Sequence, residues 1–168
     1  MRELCQALGG TEPHVEDTLV VLKPDALSRG LVGRILQRFE DADLALIQAE
    51  TRSLDPGFVR QHYHDLEERR GRLAMELTER YMISGPVMAC RLRGAEAVRN
   101  CRRLIGPTMP IEAPPGTIRG DFGHVSEEAS MTAGVAVMNL VHASGSPNEA
   151  RYELSLWFPT HIDRSPRD

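Results

Sequence analysis

Residues 135–153 combine a predicted buried strand with a strongly marked helix start. Ser146-Pro147-Asn148-Glu149 predicts the helix start, because a capping serine and a capping-box glutamate flank a proline suited to the first helical position. A strand that runs directly into a helix favours a fold of mixed α and β structure. The strand is predicted by the apolar residues Val135, Val137, Leu140 and Val141, and the helix by Ala150, Leu154, Trp157 and Phe158 at helical spacing.

His142 follows this apolar run, so it is predicted where the strand ends, close to the free backbone N–H groups of a helix start. Glu153 lies about two turns into the helix, where its carboxylate could bind one ring nitrogen and leave the other as a nucleophile. The alternative is a polar histidine with a purely structural role. Asn139 lies three residues before His142, so both can serve one site only if the strand starts after Asn139 or contains a bulge.

Composition excludes several classes of protein. The chain has 168 residues, a net charge of −4 and 5% aromatic residues, which disfavours a nucleic-acid partner. No apolar run reaches the length of a membrane span, so no membrane association is predicted. Three cysteines without metal-ligand spacing indicate reduced thiols and a cytoplasmic protein, and we predict no protein-bound metal. A metal site at His62-x-His64, or one at His124, is an alternative, but the sequence offers no third and fourth ligands for either.

Four apolar segments alternate with helical patterns along the chain. We predict strands at residues 18–22, 43–51 and 87–92 and at the His142 run, with helices after Arg29-Gly30, from Asp55-Pro56, around Leu73–Tyr81, after Gly94 and from Ser146. This order matches an α+β split βαβ sandwich, a four-stranded antiparallel sheet with helices on one face.

One domain is predicted over residues 16–160, with an N-terminal extension at 1–15 and a C-terminal tail at 161–168. Residues 106–122 contain four prolines and three glycines and are predicted to form a long functional loop. Residues 123–136 are interpreted as an irregular insertion before the His142 strand.

Cationic side chains at strand ends and in loops predict a phosphate site. Pro24 biases Lys23 toward extended backbone, so this lysine ends the first strand rather than entering a helix. Together with loop arginines, a threonine hydroxyl and the strand-end His142, it could hold and transfer a phosphoryl group.

Several motifs in order resemble the nucleoside diphosphate kinase family over about residues 17–158. They are Leu22-Lys23-Pro24-Asp25, Arg29-Gly30-Leu31-Val32-Gly33, His62-Tyr63, Ser84-Gly85-Pro86, Pro115-Gly116-Thr117-Ile118-Arg119-Gly120-Asp121-Phe122 and Asn139-x-x-His142-Ala143-Ser144. The resemblance implies a ferredoxin-like fold and transfer of the γ-phosphate from nucleoside triphosphates such as ATP to diphosphates, by a ping-pong mechanism through a phosphohistidine.

The resemblance also implies roles for individual residues. His142 would be the nucleophile, oriented by Glu153 with Ser144 in the same hydrogen-bond set, and Tyr63 would lie beside the transferred phosphate. Mg²⁺ would arrive on the nucleotide phosphates, and the protein would be a homo-oligomer, either a hexamer or a tetramer. The nucleotide would be bound by Lys23, Asn139, Arg102, Thr108 and Arg119, with Arg102 rather than Arg103 at the family's spacing from Thr108.

The chain departs from the family pattern at the base and beside the site. The family stacks the base on a phenylalanine shortly after the Tyr63 position, whereas residues 67–75 contain no aromatic side chain. Gly145 replaces an aspartate, and the segment between Asp121 and Asn139 is longer than usual. Two alternatives stay open: a nucleotide-binding regulatory protein, and an RNA-binding module of the same sheet type.

Overall fold

A computed structural model describes residues 14–159. Its strands are β1 (Val15–Leu22), β2 (Ala45–Arg52), β3 (Val87–Ala95) and β4 (Val141–Ala143). Its α-helices are α1 (Pro24–Ser28), α2 (Val32–Glu40), α3 (Pro56–His62), α4 (Leu66–Arg70), α5 (Arg72–Met82), α6 (Ala97–Ile105), α7 (Ile118–Phe122), α8 (Glu127–Thr132) and α9 (Pro147–Trp157). A short 3₁₀ helix spans Pro110–Glu112.

The four strands form one sheet in the order β2-β3-β1-β4, and every neighbouring pair is antiparallel. The predicted four-stranded antiparallel sheet of an α+β split βαβ fold is therefore confirmed. In the register, Val21 of β1 lies opposite both Ala89 and His142. Directly opposed residues share a face of the sheet, so His142 projects from the same face as Val21.

Helices cover both faces of the sheet, and the prediction that they lie on one face is wrong. Val20 and Leu22 pack with α2 and α6, whereas Leu19 and Val21 pack with α3, α5 and α9. The four consecutive β1 residues are fully buried, because a strand covered on both faces reads as a continuous apolar run. The helices on the Val21 face include α3, which ends at His62, and α9, which carries Glu153.

Three local predictions differ from the structure. The apolar run at 135–141 does not form a strand before Val141, because β1 ends at Leu22 and Pro24 leaves no edge for a longer partner. Gly94 lies inside β3 rather than at a helix start, and β1 begins at Val15, three residues earlier than predicted. Residues 1–13 of the predicted N-terminal extension, and the predicted C-terminal tail at 161–168, lie outside the described residues.

The predicted irregular insertion contains α8. Ser126 caps this helix, since its hydroxyl accepts a hydrogen bond of 3.1 Å from the Ala129 N–H. Polar residues with a good cap thus form a short helix where no apolar period was visible in the sequence.

Candidate active site

The sheet and two of its helices bring the predicted residues to one cleft of about 520 Å³. His142 projects toward this cleft from β4, and Lys23 follows β1 two residues after Val21, so both lie on the same face. The other wall is formed by α9 and by the end of α3. All the predicted site residues except the fully buried Ser144 line the cleft: Lys23, Tyr63, Arg102, Thr108, Arg119, Asn139, His142 and Glu153.

The His142 ring is bound by a buried carboxylate on α9. His142 Nε2 lies 2.8 Å from Glu153 Oε1, and the Ser144 hydroxyl donates to Glu153 Oε2 over 2.6 Å. An ionised carboxylate only accepts hydrogen bonds, so Nε2 carries the proton and Nδ1 keeps its lone pair. Ser146 caps α9 by accepting a bond from the Glu149 N–H, and this cap sets the helix start that fixes Glu153.

Burial and nearby cations keep the His142 ring neutral. Desolvation, with the charges of Lys23 and Arg119, lowers the pKa of His142 to about 3. The ring is therefore uncharged, with a free lone pair, across the whole neutral range. Desolvation also raises the pKa of Glu153, while the Ser144 hydrogen bond opposes that rise.

A tight turn resolves the spacing between Asn139 and His142. Leu140 has a φ of 68°, and the Val141 N–H donates to the Asn139 carbonyl over 2.7 Å, which defines a γ-turn. The strand consequently starts after Asn139, one of the two arrangements that the sequence required. The buried Asp25 carboxylate holds this turn by accepting bonds from the Leu140 N–H and the Tyr81 hydroxyl.

Lys23 is held beside the turn by an amide rather than by a carboxylate. Its Nζ donates to Asn139 Oδ1 over 2.7 Å, and the Asn139 amide nitrogen donates to the Thr108 carbonyl over 2.9 Å. Burial and the Arg119 charge lower the pKa of Lys23 to about 7, although Asp25 opposes this shift. The Lys23 Nζ also lies 5.5 Å from the centroid of the Tyr81 ring, and within residues 14–159 it has no hydrogen bond to a carboxylate. A buried ammonium with neutral partners favours an incoming anion.

The two predicted arginines occupy different environments. Arg119 is buried, and four of its five N–H donors bind the backbone carbonyls of Gly106, Pro107, Asn139 and Val141. Arg119 therefore ties α7 to the turn after α6 and to the start of β4, and one Nη2 N–H has no hydrogen-bond partner within residues 14–159. The predicted 106–122 loop thus contains α7 and the 3₁₀ helix. Arg102 is exposed and lines the cleft, whereas Arg103 does not line it.

His62, at the end of α3, is a buried neighbour of His142 that we did not predict as a site residue. Its ring centroid lies 4.4 Å from that of His142, and its Nδ1 accepts a 3.2 Å bond from the Trp157 indole N–H. The proton must then sit on Nε2, which has no hydrogen-bond partner among the described residues. Burial lowers the pKa of His62 well below its usual value, so the ring is neutral. The His62-Tyr63 pair in the sequence was the signal that could have identified it.

Within residues 14–159, one group of three potential metal ligands comes together: His62, His142 and Glu153. These side chains already bind one another or Trp157, and two of them are nitrogen donors. Mg²⁺ prefers oxygen ligands, so this group does not form a magnesium site. His64 lies against Tyr152 and, with His124, falls outside the group.

Comparison with known proteins identifies the family of this fold and cleft. The sequence profile described as "Nucleoside diphosphate kinase" matches residues 16–162. The nucleoside diphosphate kinase of Streptomyces griseus is 46% identical over 84% of this chain and 95% of its own length. Human nucleoside diphosphate kinase 3 is 42% identical over 85% of this chain and 77% of its own length.

Solved structures agree with the sequence relatives. A nucleoside diphosphate kinase from Borrelia burgdorferi, with bound vanadate and ADP as a transition-state mimic, superposes with a TM-score of 0.84 and 32% identity. That match covers 92% of this chain and 94% of the other. The enzyme from Pyrobaculum aerophilum gives a TM-score of 0.79 at 35% identity, over 86% and 96% of the two chains.

The chain belongs to the nucleoside diphosphate kinase family. The ferredoxin-like fold, the phosphotransferase class and γ-phosphate exchange between nucleoside triphosphates and diphosphates are confirmed with it. Nucleotides are thereby its substrates. Among the described residues, no helix is long and apolar enough to cross a membrane.

Proposed function

We propose that His142 Nδ1 is the atom that carries the phosphoryl group between the two nucleotides. The lone pair of Nδ1 attacks the γ-phosphorus, the bond from phosphorus to the β-phosphate oxygen breaks, and a nucleoside diphosphate leaves. A second diphosphate then attacks the phosphohistidine with its terminal oxygen and restores the ring. One observation carries this assignment: Glu153 binds Nε2–H over 2.8 Å and leaves Nδ1 free in a cleft that Lys23, Arg102 and Arg119 line.

Glu153 has a second role during transfer. Positive charge develops on the ring as Nδ1 bonds to phosphorus, and a carboxylate against Nε2–H stabilises that charge. Ser144 donates to the other carboxylate oxygen and keeps the Glu153 side chain in one orientation. Ser144 acts through Glu153 and is therefore a positioning residue.

Lys23, Arg102 and Arg119 are proposed to bind the phosphate oxygens, with Thr108 adding a hydroxyl donor. These cations offset the charge that spreads over the equatorial oxygens in the transition state. Asn139 holds the Lys23 ammonium and completes the ribose end of the site. Tyr63 lines the cleft beside His142, with 5.8 Å between the ring centroids, and limits the position of the transferred group.

Mg²⁺ is proposed to arrive on the nucleotide rather than to reside in the protein. The Glu153 carboxylate already accepts bonds from His142 and Ser144, so the cleft fits an ion held by phosphate oxygens and water. The exposed Glu149 carboxylate lines the cleft and could bind a water of that ion. When bound, the ion neutralises phosphate charge and supplies Lewis-acid chemistry.

Assembly and location are also proposed. The edge strand β2 exposes one hydrogen-bonding side and two apolar side chains, with Leu46 38% and Ile47 47% exposed. An edge of this kind can pair with a second copy of the chain, which supports a homo-oligomer, either a tetramer or a hexamer. The buried free thiols of Cys90 and Cys101 support a cytoplasmic protein.

An ATP-to-GDP exchange assay tests the proposed function. Initial rates at several fixed ATP concentrations should give parallel double-reciprocal lines, because the first product leaves before the second substrate binds. Conversion of His142→Ala should abolish exchange while the variant still binds ADP. Intersecting lines, or exchange that survives the substitution, would exclude the mechanism.

A further inference from the structure

An apolar chamber of about 340 Å³ adjoins the phosphate cleft. One wall is the α4–α5 hairpin, and the other is α8 with the segment that follows it. Lys23, Tyr63 and Asn139 line both the chamber and the cleft, so the two cavities are continuous. A ligand whose phosphates lie in the cleft can therefore extend its other end into the chamber without leaving the protein surface.

The mouth of the chamber exposes large apolar side chains on both walls. Leu73 of α5 is 62% exposed, and Met131 of α8 is 68% exposed. Val135 continues the second wall and is 39% exposed. Covering side chains of this size with a flat ligand removes apolar surface from water and favours binding. A chamber of this volume suits a small molecule.

An ion pair spans the two walls. Arg70 Nη1 at the end of α4 lies 3.7 Å from Glu127 Oε1 at the start of α8. Both side chains are about half exposed, so the pair contributes little to the stability of the fold. Its position instead shows that the inserted helix faces the hairpin across the chamber. The helix is therefore a wall of the site rather than a distant appendage.

We propose that the insertion helix α8 is part of the nucleotide site and that the base lies between Leu73 and Met131. This inference rests on the proposed function, because it takes the phosphate position from it. The occupant is a nucleobase, since the proposed function places the ribose at Lys23 and Asn139, and these two residues line both the cleft and the chamber. Aliphatic and thioether side chains on both sides hold the ring by dispersion and burial.

The walls determine the base preference. Leu73, Met131 and Val135 have no directional hydrogen-bond groups, so their contacts do not distinguish one base from another of the same size. These contacts favour purines over pyrimidines, because a purine buries more area. The aliphatic slot takes the place of the aromatic side chain that residues 67–75 lack.

Comparison of ADP with inorganic pyrophosphate isolates the contribution of the base. Binding of magnesium ADP and magnesium pyrophosphate is measured by calorimetry for the wild-type chain, Leu73→Ser and Met131→Ser. Ile111→Ser is the matched control, because Ile111 is 64% exposed and lines neither cavity. All three positions are exposed, so the variants should fold.

Each chamber variant should weaken ADP binding roughly tenfold, the loss expected when one large apolar side chain no longer covers the ring, with pyrophosphate binding unchanged. Ile111→Ser should bind both ligands as the wild type does. Wild-type ADP affinity in both chamber variants, equal losses for pyrophosphate, or the same loss in Ile111→Ser would overturn the proposal. Phosphorylation of His142 by ATP is measured separately in the wild-type chain. A negative result there would contradict the proposed function, whereas the calorimetry tests only whether the base lies between Leu73 and Met131.

Discussion

Replacement of Glu153 by alanine tests how much of the reaction depends on ring orientation. The substitution removes the acceptor of the 2.8 Å bond from His142 Nε2–H and leaves the nucleophile itself in place. A hydrogen bond to a charged group contributes about 1.5–3 kcal/mol, which corresponds to a roughly 10- to 150-fold change in rate. We expect kcat for phosphorylation of the enzyme to fall within that range, with little change in KM.

Rapid-quench measurement of phosphoenzyme formation from labelled ATP gives this rate directly. Ser144→Ala keeps the His142–Glu153 bond and should lose less than tenfold, because only the second bond to the carboxylate is removed. Ser155→Ala is the control, since Ser155 is an exposed residue of the same helix and, among the residues that the structure describes, its hydroxyl bonds the Tyr152 carbonyl alone. A Glu153→Ala rate within twofold of the wild type, in a variant with unchanged thermal unfolding, would refute the reasoning. Complete loss would also refute it, because one hydrogen bond to a charged group contributes too little to account for that.

Three further predictions concern pH and stability. The pKa of Lys23 is about 7 in the free protein, and a bound anion raises it. ADP binding should therefore take up a proton, and the Kd for ADP should rise as pH rises above 7. Calorimetry in buffers of different ionisation enthalpy measures the proton uptake and the Kd. Because the pKa of His142 is about 3, kcat/KM for phosphorylation should change by no more than about twofold from pH 7 down to pH 5, the part that protonation of Lys23 contributes. A ring with an ordinary pKa would lose about 25-fold over the same range. Gly120→Ala should lower Tm by several degrees, since a Cβ would lie 2.1 Å from the Pro114 carbonyl oxygen. The Cβ of Gly33→Ala would meet no atom within 4 Å, so this helix substitution should raise Tm slightly. An unchanged Tm for Gly120→Ala would contradict the packing.

Local patterns in the sequence predicted much of the fold and the central contact of the site. The capping residues from Ser146 onward set the start of α9, and helical spacing then placed Glu153 within reach of His142. Pro24 similarly ended β1 at the right point and left Lys23 at the strand end. These features depend on neighbours in the chain, which periodicity and capping rules describe well.

Other features depend on contacts between distant segments and could not be predicted. The γ-turn at Leu140 is held by the Asp25 carboxylate, which is 115 residues earlier in the chain. Arg119 was expected to bind phosphate, and its sequence context gave no sign that four carbonyls would take most of its donors. Helices on both faces were also missed, because the order of the elements does not say which face each helix covers.

Identification of the phosphorylated atom tests the central claim most directly. The protein is incubated with γ-labelled ATP, isolated from free nucleotide and mapped by mass spectrometry under alkaline conditions that preserve phosphohistidine. We predict label on His142 alone, at Nδ1, with quantitative release to GDP as labelled GTP within one turnover. Label on any other residue, or a phosphohistidine that GDP cannot discharge, would contradict the account.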